Sequence, residues 1–206
     1  ESARAYSVSP DGACVAFAPT DQQSSQIWLM ERDGGNARKV VESESDRENI
    51  GFYVRWSPDS RRILYRRMKA TNEGWVNTLE SCDLQGGGRT VLVAPQVHLY
   101  PGIHAVWLPD WRVLFSKTVS PGRPRDSDLW ELLVNARTGE PRDRPRVIHT
   151  WPGYYASGMS VTADGRRLAF AKWREQDDVY AAGLSPDGNR LQEPKRLTLE
   201  SSLESS

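Results

Sequence analysis

One short pattern occurs four times and restricts the possible folds more than any other feature of the chain. It reads YSVSPDGACVAF at 6–17, VRWSPDSRRILY at 54–65, AVWLPDWRVLF at 105–115 and MSVTADGRRLAF at 159–170. The turn aspartates Asp11, Asp59, Asp110 and Asp164 are 48, 51 and 54 residues apart, so the period is about 50, that of a propeller blade. Each copy places a tight turn between two apolar runs. Pro presets the backbone for the turn's second position, Asp bonds to nearby backbone, and Gly supplies positive φ. Flanked by alternating apolar residues, this is the signature of a β-hairpin.

A second hairpin follows each copy. Its turns are Asp33-Gly34-Gly35-Asn36, Gly86-Gly87-Gly88, Thr138-Gly139 and Pro186-Asp187-Gly188-Asn189. Each unit therefore predicts four strands, A to D, and nothing in the chain has helical periodicity. Four-stranded antiparallel units at this period predict radial stacking as a β-propeller. A Greek-key sandwich would not explain equivalent turns at equivalent positions. The expected blades span about 3–41, 50–93, 103–148 and 157–199 of a single partial propeller over 1–206. Aromatic residues recur in register, Trp56 with Trp107 on strand A and Trp28 with Trp130 on strand C. Such a stripe predicts inter-blade core, because blades must bury flat faces against one another.

The string Ser-Pro-Asp-Gly before a short apolar strand, followed by IWLMERDGGN at 27–36, resembles the TolB-like (WD40-like, PD40) β-propeller repeat. The resemblance runs from Tyr6 to Leu199. The third repeat departs from it with Leu108-Pro109-Asp110-Trp111, the fourth with Thr162-Ala163-Asp164-Gly165. It implies a six- to eight-bladed all-β propeller of which four blades are present here, with an extracytoplasmic, periplasmic setting. It also implies a non-catalytic scaffold that binds a protein, peptide or small ligand, as in TolB itself or in sensor parts fused to bacterial kinases and winged-helix regulators. The alternative within the same resemblance is the gating propeller of a prolyl-oligopeptidase-like serine peptidase, whose catalytic domain would lie outside this chain. Four blades without closing partners would leave two open sheet faces, which invites self-association.

Charge and composition narrow the function. Among 206 residues, 27 Lys and Arg balance 27 Asp and Glu, so the chain lacks the net positive field that general nucleic-acid binding uses. No apolar run approaches the roughly 20 residues of a membrane helix, and no membrane contact is expected of this segment; a targeting segment or anchor would lie elsewhere. The two cysteines, Cys14 and Cys82, fall in strands of different repeats and predict free thiols. There is no Gly-x-Ser-x-Gly elbow, His-Glu-x-x-His pair or phosphate-binding loop, so neither catalysis nor a cofactor is expected.

Binding is expected at one end. In this topology the A–B and C–D turns share one end, and the B–C loops and D-to-A connections share the other. The A–B turns are short and alike, whereas the opposite rim varies, and variable loops on a rigid scaffold are where ligands bind. Tyr53, His98, Tyr100, His104, Trp151, Tyr154 and Tyr155 cluster near the starts of successive A strands and form the candidate ligand site. His98 and His104 match no metal-ligand spacing, so no metal is expected. The basic residues Arg66, Arg67, Lys69, Arg123, Arg125, Lys172 and Arg174 are expected in B–C loops, forming a solvated mixed-charge rim with neighbouring acids.

Overall fold

The computed structural model describes residues 3–19, 25–97, 103–120, 123–174, 180–183, 185, 190 and 193–197. Among these there is no helix. Three four-stranded antiparallel sheets follow one another along the chain, each in simple up-and-down order. The first is β1 (Ala3–Val8), β2 (Cys14–Pro19), β3 (Gln26–Glu31) and β4 (Arg38–Glu42). The second is β5 (Glu48–Trp56), β6 (Arg62–Thr71), β7 (Gly74–Asp83) and β8 (Thr90–Val97). The third is β9 (His104–Trp107), β10 (Arg112–Ser120), β11 (Arg123–Leu133) and β12 (Arg146–Trp151).

The repeated turns are closed by one hydrogen-bond scheme. In the first, the Ser9 hydroxyl donates to Asp11 at 2.5 Å, while Ala13 N–H donates to Asp11 Oδ1 and Cys14 N–H to Ser9 Oγ. Ser57, Asp59, Arg61 and Arg62 repeat these bonds, and Thr162, Asp164, Arg166 and Arg167 repeat them again. Leu108 has no hydroxyl to offer, and in the third turn the Arg112 side chain engages Asp110 instead, Nε to Oδ2 at 2.8 Å. The fourth turn residue has positive φ in all four copies: Gly12, Ser60, Trp111 and Gly165. For the two non-glycine residues this conformation costs roughly 1–2 kcal/mol. Each uses its side chain in return. Ser60 Oγ accepts a hydrogen bond from Asp11 N–H of the preceding sheet at 3.1 Å, and Trp111 packs edge-on against Trp107 with ring centres 5.7 Å apart.

The sheets stack face to face, and the apolar cores lie between them. On β6, Ile63 and Tyr65 join a core with Ala16, Ile27, Leu29 and Val41 of the first sheet. Leu64, on the opposite face of the same strand, joins Ile103, Ala105, Val113 and Phe115 of the third. This is the period-two alternation of a strand buried on both sides. The same switch occurs on β10, where Val113 and Phe115 face the second sheet while Leu114 faces Ala156 and Met159 of the fourth repeat. The A strands are neighbours in succession: β1 packs on β5, and β5 on β9. Trp56 Nε1–H donates to the Ser7 carbonyl at 2.9 Å, tying the first two A strands together. At the turn end, Gly139 of the third sheet lies flat on the Arg62 guanidinium of the second, and a Cβ there would fall 2.3 Å from Arg62 Cζ. Arg62, itself buried, donates to the Gly88 carbonyl and Ser81 Oγ. Trp56 and Trp107 are 6% and 4% exposed, as the inter-blade-core expectation requires. Val8, which occupies the Trp56 position in the first repeat, is 57% exposed and Tyr6 74%, because nothing among the described residues covers that face.

The fourth repeat differs from the other three. β13 (Tyr155–Val161) and β14 (Leu168–Trp173) pair as a two-stranded sheet, with β13 packed on β9. Of strands C and D the described residues include β15 (Tyr180–Ala181) and β16 (Lys195–Arg196), which pair with each other in a second compact unit that begins at residue 175. The C strand of this repeat reads Tyr180-Ala181-Ala182-Gly183, where the third repeat has Leu129-Trp130-Glu131-Leu132. Cys14 and Cys82 are both free thiols, and burial pushes the Cys82 thiol up to about 12.

Candidate ligand-binding rim

The rim opposite the A–B turns is built from the starts of the A strands and the ends of the B strands. It differs from the loop expectation for the second repeat. β6 runs unbroken to Thr71 and β7 resumes at Gly74, so Arg66, Arg67 and Lys69 are strand residues. Arg67 is buried between two carboxylates, Nη1 to Glu48 at 2.8 Å and Nε to Glu80 at 3.2 Å. Tyr65 donates to Glu80, and Lys69 reaches Glu48 at 3.4 Å. Burial alone would raise the Glu48 carboxyl; the Glu44 N–H and Arg67 outweigh it and hold it below its usual range. The charge is satisfied internally, which is the usual condition for burying it. In the third repeat β10 extends to Ser120 and β11 starts at Arg123, so Arg123 and Arg125 also lie in a strand. In the fourth, Lys172 is on β14, whereas Arg174 follows its end.

β5 carries a pronounced irregularity at the rim. Ile50 pairs with Arg67 and Val54 with Tyr65, so residues 51–53 stand opposite the single residue Arg66. A bulge of this kind bends the strand and re-aims a side chain, and bulges recur beside functional sites. The residue it delivers is Tyr53. Its ring meets His104, the first residue of β9, edge-on at 6.2 Å, and the Arg55 guanidinium lies over its face at 4.7 Å. Burial, with Arg66 and Arg55 adding to it, lowers the His104 imidazole from 6.5 to about 4, so it is neutral at pH 7. Burial likewise holds the Tyr53 phenol above its usual range.

The remaining candidates form a second group one A strand further on. Trp151, at the end of β12, contacts His149 at 4.8 Å and Phe170 at 5.0 Å between ring centres. The Lys172 ammonium sits 3.8 Å above the Tyr154 ring, and Tyr155 is buried at the start of β13. Tyr53 and His104 thus come together, Trp151 and Tyr154 lie beside the next A strand, and His98 and Tyr100 fall outside the described residues. Arg55 is not among the residues singled out from the sequence. Its signal was the alternation on strand A, which puts residue 55 on the face opposite Val54 and Trp56.

Three similar units with shared A–B turns, cores between successive sheets and A strands in succession define a β-propeller scaffold. Comparison with known proteins agrees. The chain is 37% identical over 147 residues to the Tol-Pal system protein TolB of Anaeromyxobacter dehalogenans, which covers 70% of this chain and 29% of that protein. It is similar in structure to TolB from Acinetobacter baumannii, with a TM-score of 0.61 at 14% identity, covering 94% of this chain and 43% of that one. It is also similar to the uncomplexed acylaminoacyl peptidase of Pyrococcus horikoshii, with a TM-score of 0.56 at 20% identity, covering 93% of this chain and 32% of the peptidase. No family model matches the sequence. The repeats are those of a TolB-like β-propeller, and the chain spans under a third of the length of its curated relative.

Proposed function

We propose that this propeller scaffold is non-catalytic and binds a protein or peptide at the rim formed by the starts of its A strands, in an extracytoplasmic setting like that of the Tol-Pal system. The observation that carries this reading is the asymmetry between the two ends. The A–B turns use their polar side chains to close themselves, whereas the rim gathers Tyr53, Arg55, His104, Trp151 and Tyr154, whose hydrogen-bonding and stacking capacity suits a ligand. Likeness to a TolB protein, named for its Tol-Pal system, supports a protein partner over a small molecule. The peptidase likeness is one of fold and adds no site residue to this chain.

Panning a peptide library against the chain and mapping the selected peptides by hydrogen exchange tests the proposal. Protection should appear at residues 50–55, 103–106 and 151–156 and be absent from the A–B turns. Selected peptides that protect only the A–B turns, or that bind Trp151→Ala and Tyr154→Ala variants as well as the unaltered chain, would refute it.

A further inference from the structure

Several basic side chains of this neutral chain have a carboxylate partner. Arg67 and Lys69 bind Glu48, Arg112 binds Asp110 and Glu131, Arg89 binds Glu44, and Lys39 binds Glu42. Arg55 is different. Its hydrogen bond is to the adjacent Val54 carbonyl, and its guanidinium lies flat on Tyr53 with no carboxylate partner among the described residues. Stacking occupies the face of a guanidinium and leaves its N–H edge free to fork onto a planar anion. The same ring is met edge-on by His104, neutral at pH 7 and therefore able to donate one N–H. The charges acting on both Tyr53 and His104 are the guanidiniums of Arg55 and Arg66. The bulge at 51–53 directs this group to the rim, so the site combines positive potential, a fork donor and an aromatic wall.

We propose that the junction of β5 and β9 is a carboxylate-binding subsite, in which Arg55 grips the carboxylate, His104 donates to it, Arg66 adds positive charge and Tyr53 forms the wall. This rests on the rim-binding reading above and narrows its ligand to one that presents a carboxylate there. Two sources share that chemistry, a peptide C-terminus and an acidic side chain.

Three probes distinguish them on the unaltered chain by NMR of the His104 ring at pH 7. N-acetylglycine presents a C-terminal carboxylate, N-acetyl-aspartic acid α-amide a side-chain carboxylate, and N-acetylasparagine amide the same shape without charge. At least one carboxylate probe should shift the His104 signals saturably, and the tighter of the two identifies the source. The neutral amide should bind at least about tenfold more weakly. Arg55→Gln should weaken the carboxylate probe by about tenfold or more, with Arg55→Lys recovering part of the loss. Equal binding of the neutral amide, no saturable shift at about 50 mM of either carboxylate, or full affinity in Arg55→Gln would overturn the proposal. If that happens while panned peptides still protect the rim, the carboxylate subsite alone is wrong. If no peptide protects the rim either, the binding end itself is wrong.

Discussion

The two ends of this scaffold spend their polar groups in opposite ways. At the A–B end, Ser9 with Asp11, Ser57 with Asp59 and Thr162 with Asp164 close their own turns, and Asp11 N–H reaches across to Ser60 of the next sheet. At the other end of the strand the β5 bulge delivers Tyr53, which meets the His104 ring edge-on and carries the Arg55 guanidinium over its face, contacts that close no turn. A few residues away, Arg67 shows what a fully neutralised arginine looks like on the same sheet. The difference teaches that repetition in this fold serves closure, and that departure from repetition marks where chemistry is exposed.

The contrast breaks most visibly at Arg67. Arg67→Ala leaves the buried Glu48 and Glu80 carboxylates without a counter-charge and should cost about 3–5 kcal/mol in denaturant unfolding. Arg55→Gln, a few residues away, should leave the unfolding midpoint almost unchanged.

Acidification is the next largest effect. His104 titrates near 4 in the folded chain against 6.5 when unfolded, so between those values the unfolded state binds a proton that the folded state does not. Its contribution to stability is complete above pH 6.5 and declines as pH falls towards 4. By pH 5 the loss should reach about 1–2 kcal/mol. His104→Gln should flatten that slope when unfolding is followed from pH 7 to pH 5.

Within the turn end the effects are smaller. Asp59→Ala removes the acceptor for Ser57 Oγ and Arg61 N–H and should cost about 1 kcal/mol. Asp110→Ala should cost about half as much, since its principal partner is the solvent-accessible Arg112 side chain. Ser60→Gly relieves the positive φ but loses the bond from Asp11 N–H, and the two should nearly cancel, leaving a change within about 0.5 kcal/mol. A gain well beyond that would mean the bond between neighbouring turns contributes little.

Much of the architecture was legible because it depends on local chemistry. A Ser-Pro-Asp-Gly turn fixes its hairpin within a few residues, and the alternation of Ile63, Leu64 and Tyr65 already marks a strand buried on both faces. The Trp56 and Trp107 stripe was read as core for the same reason. What stayed hidden depends on pairing between strands. The extra residues opposite Arg66 are visible only once β5 and β6 are in register. Arg66, Arg67 and Lys69 read as loop residues because a run of charge suggests solvent; Glu48 and Glu80, the carboxylate partners of Arg67 and Lys69, come from strands on either side of β6. The fourth repeat reads as a full blade from its turns, and residues 175–179, 184, 186–189 and 191–192 of its second hairpin lie outside the described residues.

The central claim is that the second sheet hides one face against the sheet before it and the other against the sheet after it. Methyl and aromatic NOEs from the adjacent residues Ile63, Leu64 and Tyr65 measure this directly. Ile63 and Tyr65 should show contacts to the first repeat, to side chains such as Ile27 and Val41, and Leu64 should show contacts to the third, to Ile103 and Val113. Contacts from all three residues to one and the same repeat would contradict radial stacking, and with it the rim on which the binding site stands.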